Sequence, residues 1–122
     1  MKLITLKNGL KVIMEKRADL RSATLGVWVA AGSRYEGEDE KGISHFLEHI
    51  VFKGSKKRNA FEIAEGFDSI GASVNAYTTK EYTFFYTKAL DYQIEKAADI
   101  LFDMVKRPRL DEKDIETEKG GI

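Results

Sequence analysis

Residues 42–52 have the sequence GISHFLEHIVF, a segment that combines a helical pattern of apolar residues with both histidines of the chain. Its apolar side chains recur with the 3.6-residue period of an α-helix. These apolar residues are Ile43, Phe46, Leu47, Ile50 and Val51. His45, Glu48 and His49 can reach a common side of that helix, because residues three and four positions apart lie one above the other. The segment therefore predicts an amphipathic helix that presents two imidazoles and a carboxylate together.

Three strands are predicted before this helix. Lys2 to Leu6 and Leu10 to Lys16 show the period-2 pattern of strands. Asn8-Gly9 lies between them and suits a type I′ hairpin turn, because both residues tolerate positive φ. Ser22 to Ala31 is apolar almost throughout, which predicts a strand buried on both faces at the centre of the sheet.

The remaining chain alternates helices and strands. A basic loop, Lys53 to Arg58, is either a solvated connection or a phosphate contact. Caps are predicted at Asn59 and Asp91, and Pro108 is predicted to end the third helix. The predicted elements are a helix from Ala60 to about Ile70, strands from Ser73 to Thr78 and from Tyr82 to Ala89, a helix from Tyr92 to about Lys106, and a last helix from Asp111 towards Ile122. This order predicts an α+β domain with helices packed on one face of a largely antiparallel sheet.

Composition excludes several classes of function. The 122 residues include 20 Lys and Arg and 20 Asp and Glu, so the formal net charge is zero. This neutral balance argues against nucleic acid as the main partner, because binding nucleic acid needs a basic surface. No apolar run approaches the ~20 residues that span a bilayer, and the N-terminal segment does not resemble a secretory signal. The absence of Cys removes disulfide and thiolate chemistry and is compatible with a reducing compartment. We therefore expect a cytoplasmic protein with no membrane partner.

The two histidines of the chain, His45 and His49, lie within one helical turn of each other. Imidazole nitrogens and carboxylate oxygens are the usual ligands of catalytic zinc, and such a site needs three protein ligands and a water. Glu48 is placed to take a proton from that water, direct the attack on a peptide carbonyl and protonate the leaving amine. Two alternatives are that the histidines are hydrogen-bonded core residues, or that the HxxEH string is the surface of an ordinary amphipathic helix.

The surrounding segments resemble a known superfamily. HFLEH at residues 45–49 is the inverted zinc motif of the inverzincins, the superfamily of pitrilysin, insulin-degrading enzyme and the mitochondrial processing peptidases. The segments LKNGLKVI (6–13), LGVWVAAGSRYE (25–36), GISHFLEHIVFKGS (42–55), SVNAYTTKEYTFFY (73–86) and DIETEKGGI (114–122) resemble that family in the order in which they occur. The similarity is strongest to bacterial processing-protease-like members.

The resemblance implies a zinc-dependent endopeptidase with one Zn²⁺ per chain and a peptide or unfolded polypeptide as substrate. His45 and His49 would be the zinc ligands, Glu48 the general base, and Glu118 a supporting glutamate on the last helix. Residues Asn75, Ala76, Tyr77 and Thr78 would form the strand edge along which the substrate lies. From the residues alone, Asn75 is equally explained as a turn or strand-end residue.

The chain also departs from the family pattern. The third zinc ligand of the family lies about two helical turns beyond the position of Glu118, so residues 1–122 would be a single but incomplete N-terminal metallopeptidase domain. We expect the chain to be a fragment of a longer protein and to have little activity alone. Its exposed apolar surface would be covered either by the missing C-terminal half or by self-association. Two alternatives stay open: a non-catalytic scaffold or partner subunit of the same family, and a small metal-binding module whose third ligand is Glu118 or a group from a neighbouring molecule.

Overall fold

The computed structural model describes residues 1–121, and for Tyr35, Glu40 and residues 117–121 it describes the backbone only. The strands are β1 (Lys2–Thr5), β2 (Lys11–Met14), β3 (Ser22–Val29), β4 (Ser73–Thr78) and β5 (Thr83–Leu90). The helices are α1 (Ile43–Val51), α2 (Ala60–Ser69), α3 (Ile94–Lys106) and α4 (Glu112–Gly121), and two short 3-10 turns precede α1 at Ser33–Tyr35 and Glu38–Glu40. The order of strands and helices is the predicted one. Among these described residues, no helix combines the length and the apolar character needed to cross a membrane.

The predicted hairpin turn at Gly9 and the predicted helix cap at Asn59 are both present. Gly9 has a φ of 90° in the turn that joins the antiparallel strands β1 and β2. At the start of α2, Asn59 Oδ1 accepts from the Glu62 N–H at 2.8 Å, while the Glu62 carboxylate accepts from the Asn59 N–H at 3.1 Å. This reciprocal pair is a capping box. The predicted cap at Asp91 is wrong, because a turn separates it from α3 and its carboxylate instead pairs with Arg21 at 3.0 Å.

The strands form two antiparallel sheets. β1 and β2 make a two-stranded sheet, and β3, β5 and β4 make a three-stranded sheet in that order. The prediction that Ser22 to Ala31 is the central strand is wrong, since β5 is central and β3 pairs with β5 alone within residues 1–121. The second apolar face of β3 has a different use: Trp28 is 63% exposed and stacks on Phe84 with ring centroids 4.3 Å apart.

The helices cover one face of the three-stranded sheet, as predicted for this fold class. The core between helices and sheet consists of Val51, Ile63, Phe67, Phe85, Ala89, Ala97, Ile100, Leu101 and Met104. On the opposite face, Trp28, Phe84, Tyr77 and Tyr86 form a contiguous group of rings. Gly26 is required there, because a Cβ at this position would lie 2.3 Å from the Phe84 ring. The fold is therefore an α+β layer with an aromatic outer face.

The basic loop after α1 is held by buried ionic contacts. Asp103 on α3 is 1% exposed and accepts from the Ser55 hydroxyl at 2.5 Å and from Arg58 at 2.8 Å. Arg107 reaches the same carboxylate at 3.3 Å, and Arg58 also pairs with the exposed Asp99 at 3.0 Å. Burial alone would raise the pKa of Asp103, but the hydrogen bonds from Ser55, Arg58 and Arg107 outweigh burial and lower it. Arg58 therefore has a structural role, and its contacts favour a connection over a phosphate site.

We expect Asp103→Asn to lower the free energy of unfolding at pH 7 by about 3 kcal/mol, because it leaves Arg58 facing an uncharged, buried partner. A carboxyl whose pKa is lowered by folding stabilises the protein above its unfolded pKa of about 3.9, and this contribution is lost as the pH falls through the folded value. The variant should therefore lose less stability on acidification than the parent. Urea unfolding at pH 7 and pH 3 measures both effects.

Asp99→Asn is the matched control, because Asp99 binds the same arginine from an exposed position. Its cost should stay below about 1 kcal/mol, as is typical of exposed pairs. Equal losses for Asp99→Asn and Asp103→Asn would contradict the assignment of the buried carboxylate as the anchor of the loop.

Candidate metal centre

The segment between β3 and α1 is fastened to the turn that joins β4 and β5. Gly32 lies so close to that turn that a Cβ would be 2.6 Å from backbone atoms of Thr79 and Lys80. The Arg34 N–H donates to the Lys80 carbonyl at 2.7 Å, and the Thr83 hydroxyl donates to the Ala31 carbonyl at 2.5 Å. These contacts hold residues 31–34, which lead towards α1, against the hairpin of β4 and β5.

The N-terminus of α1 is capped by a distant carboxylate. The residue before the helix is Gly42, whose φ of 84° directs the chain into α1 but which has no side chain to cap it. Glu36 fills that role: its two oxygens accept from the N–H groups of Gly42 at 2.9 Å and Ser44 at 2.8 Å. The hydrogen bonds from Ser44 and Gly42 lower the pKa of Glu36. The role of Glu36 could not be predicted from the sequence, because a cap seven residues before the first residue of the helix matches no local pattern.

The structure brings His45, Glu48 and His49 together on one side of α1. Their ligand-type atoms all lie within 4.8 Å of one another, and the two imidazole rings are 4.7 Å apart between centroids. Both histidines are exposed and Glu48 is half-buried, whereas Ile50 and Val51 on the other side of the helix enter the core. The alternative in which the histidines are core residues is therefore wrong.

The donor set fits zinc. Two imidazoles supply the nitrogen ligands that zinc prefers, and the carboxylate can serve as a ligand or as a base beside the metal. Ligand atoms of a tetrahedral zinc lie about 3.4 Å apart, so a group within 4.8 Å needs only small rotations of its exposed side chains to close. Glu118 belongs to α4, but its side chain lies outside the described residues.

A hydrogen bond joins this group to the sheet. The Thr78 hydroxyl, at the end of β4, donates to Glu48 Oε2 at 2.5 Å. The bond fixes the position of Oε2. Because the carboxylate group is planar, it also restricts where the other oxygen, Oε1, can lie. Thr78 is among the predicted substrate-strand residues, but its contact with Glu48 could not be predicted from the sequence, because it depends on how α1 lies against β4.

The free edge of β4 can be read from its register. The Thr79 N–H donates to the Tyr82 carbonyl at 2.8 Å, so this pair is hydrogen-bonded and the next pair, Thr78 with Thr83, is not. Because hydrogen-bonded and non-hydrogen-bonded pairs alternate, Thr78 and Ala76 direct their backbone N–H and C=O groups away from β5. In the part of the chain that the structure describes, no strand pairs with this edge. β4 thus offers main-chain donors and acceptors next to Glu48.

Asn75 and Ala76 also border a cleft between β4 and α1. The cleft has a volume of about 360 Å³ and is lined by Glu48, His49, Phe52, Lys53, Asn75 and Ala76. Asn75 is inside β4, so its interpretation as a turn or strand-end residue is wrong, and its Oδ1 accepts from the Ala76 N–H at 2.8 Å. Tyr77 points to the other face, where its ring contacts Phe84. Of the four predicted strand residues, three thus border the cleft or contact Glu48.

Known proteins are similar to this chain in sequence and in fold. The family described as insulinase (peptidase family M16) matches residues 11–122. An uncharacterized zinc protease, YmxG, of Bacillus subtilis is 46% identical over 118 residues, which are 97% of this chain and 29% of that protein. Mitochondrial-processing peptidase subunit beta of Mus musculus is 44% identical over 117 residues, which are 96% of this chain and 24% of that protein.

A solved structure agrees with the fold. The crystal structure of a peptidase M16 inactive domain from Pseudomonas fluorescens has a TM-score of 0.89 and covers 98% of this chain and 29% of that one. Its sequence identity of 20% makes this a likeness of fold alone. The chain spans about a quarter of the length of the curated relatives described above.

We expect Glu36→Gln to loosen the start of α1, because a neutral amide is a weaker acceptor for the N–H groups of Gly42 and Ser44 at a helix N-terminus. Amide hydrogen exchange at these two residues should accelerate. Glu38→Gln, a change at an exposed acid of the same loop, is the control and should leave both rates unchanged. Equal exchange in Glu36→Gln and the parent would show that the cap does not support the helix.

Proposed function

The chain belongs to the insulinase family (peptidase family M16), and on that premise we propose that it is the N-terminal, metal-binding region of a zinc-dependent endopeptidase. The observation that carries the proposal is the convergence of His45, Glu48 and His49 within 4.8 Å on the exposed side of α1. The two imidazoles would hold zinc, and zinc when bound supplies the Lewis acidity that makes water a stronger acid.

In this proposal Glu48 is the general base. Thr78 donates to Oε2, so Oε1 is the atom that accepts the proton from the attacking water and later returns it to the leaving amine. The hydroxyl of Thr78 keeps the carboxylate oriented while its partner atom reacts. Thr78 is therefore a positioning residue, whereas Glu48 acts on the reacting atoms.

The peptide would bind as an additional strand along β4. Ala76 and Thr78 present outward backbone groups, and main-chain hydrogen bonds of this kind bind extended peptides with little dependence on sequence. The Ala76 N–H already bonds to Asn75 Oδ1, so an incoming carbonyl would replace or share that bond. This arrangement would place the peptide beside Glu48, at the end of the strand where hydrolysis is proposed.

Metal binding is tested by titrating the chain with Zn²⁺ and measuring the heat released. His45→Ala and His49→Ala should each weaken zinc binding by more than about tenfold, because even the loss of an outer partner of a ligand costs about that much. Glu65→Gln, an exposed acid of α2, serves as the control and should bind as the parent does. Equal affinity in the histidine variants would contradict the proposal and favour the non-catalytic alternative.

β3 has an open edge, which supports the expectation that this chain either self-associates or is covered by another part of a longer protein. By the same alternation as in β4, residues Thr24, Gly26 and Trp28 turn their backbone groups away from β5. No other strand covers them within residues 1–121. An uncovered strand edge pairs readily with other strands, and we propose that another strand covers β3 in the assembled protein.

We expect the isolated chain to self-associate, and Thr24→Pro to reduce this, because proline removes an outward N–H without breaking a bond to β5. Thr24→Val keeps that N–H and is the control, which should associate like the parent. Sedimentation velocity measures the three species. A strictly monomeric parent would contradict the proposal.

A further inference from the structure

The hairpin of β1 and β2 takes no part in the hydrophobic core of the described chain. Its two strands pair only with each other within residues 1–121, and none of its apolar side chains belongs to the core or packs against it. Leu3 and Ile13 lie opposite each other in the hairpin and are 64% and 65% exposed. Because a two-stranded sheet by itself is only marginally stable in water, the hairpin would be stabilised by a further strand.

The outer edge of β1 is open and uncharged. The Leu6 N–H donates to the Leu10 carbonyl at 2.8 Å, so these two residues form a hydrogen-bonded pair next to the turn. Because hydrogen-bonded and non-hydrogen-bonded pairs alternate, β1 directs the backbone groups of Leu3 and Thr5 away from β2. Neither residue is charged, whereas the outer edge of β2 includes Lys11, and a lysine at an edge discourages strand pairing. β1 is therefore the edge of the hairpin that is better suited to a partner strand.

Antiparallel pairing of β1 with β3 would match the side chains on both faces of the sheet. The residues of β3 with outward backbone groups include Trp28, whose side chain lies on the aromatic outer face. Residues directly opposite each other in a sheet share a face, so Leu3 would join that outer face. Ile4 would then join the other face, where Leu25 and Val27 of β3 pack against the core. Apolar side chains thus meet apolar side chains on each side.

The chain exposes a large surface for its mass. Its accessible surface is 8730 Å², whereas a folded monomer of 13.8 kDa is expected to expose about 6,600 Å². The difference of roughly 2,000 Å² exceeds the area of about 800 Å² that each partner buries in a stable interface of standard size. The uncovered surface is therefore large enough for a stable dimer of this chain.

We propose that β1 of a second copy of this chain pairs antiparallel with the open edge of β3, and that two copies exchange their hairpins reciprocally in a closed dimer. Residues 15–21 connect the hairpin to β3 through a turn and would be the hinge of this exchange. The inference rests on the covering of β3 in the proposed function, and it is independent of the metal and of hydrolysis.

Proline variants test which edge of the hairpin pairs with β3. Leu3→Pro removes an outward N–H of β1 without breaking a bond to β2, and we expect it to be monomeric at concentrations at which the parent is a dimer. Ile13→Pro is the matched control, because it makes the same change at the opposite residue of the hairpin, on the edge of β2. It should associate like the parent. Sedimentation velocity over a series of concentrations measures each species.

A mixing experiment tests the exchange itself. Neither Leu3→Pro nor Thr24→Pro should associate alone, but an equimolar mixture should form a one-to-one dimer, because the first variant keeps β3 and the second keeps β1. The mixture should associate at a concentration at least about tenfold lower than either variant alone. Trp28 is the only tryptophan of the chain and is 63% exposed, so acrylamide should quench its fluorescence less in the dimer.

The outcomes separate this inference from its premise. Association of Leu3→Pro like that of the parent, loss of association in Ile13→Pro, or a mixture that stays monomeric would overturn the hairpin exchange while leaving the covering of β3 intact. Association of Thr24→Pro like that of the parent would overturn both.

Discussion

The hydrogen bond from Thr78 to Glu48 is the contact on which the arrangement of the site depends. It joins the end of an edge strand to the exposed side of a helix, at 2.5 Å. Without it, the group of His45, Glu48 and His49 would be a feature of α1 alone. With it, the carboxylate is oriented beside the backbone groups that β4 leaves open. One contact thereby links the candidate metal-binding group on α1 to the open edge of β4.

Other contacts in the fold fix the position of α1 relative to β4 and so support the bond from Thr78 to Glu48. Gly32 permits the chain to pass against the turn between β4 and β5, which positions the approach to α1 relative to β4. Glu36 then caps the helix from seven residues upstream of Ile43. On the far side, Asp103 holds the loop that follows α1. The helix is thus fixed at its start and just beyond its end, and Thr78 holds the carboxylate on its exposed side.

Local patterns predicted much of this from the sequence. The period of apolar residues located α1, the cap at Asn59 together with the apolar spacing located α2, and the two histidines four positions apart predicted the clustered side chains that the structure shows. What could not be predicted depends on distant contacts. Glu36 caps through a loop rather than a local motif, Asp91 turns to Arg21 instead of capping α3, and Thr78 meets Glu48 only after α1 packs on β4. β3 was wrongly predicted to be central, because its second apolar face packs among aromatic side chains on the outer face of the sheet.

The most direct test of the central claim is zinc K-edge X-ray absorption spectroscopy of the zinc-loaded chain. Imidazole ligands produce characteristic multiple-scattering signals, so the spectrum counts the histidines bound to the metal. We expect two imidazoles per zinc at about 2.0–2.1 Å in the parent chain, and one imidazole per zinc in His49→Ala. A spectrum of the parent that contains no imidazole, or that does not change in His49→Ala, would contradict the assignment of α1 as the metal-binding helix.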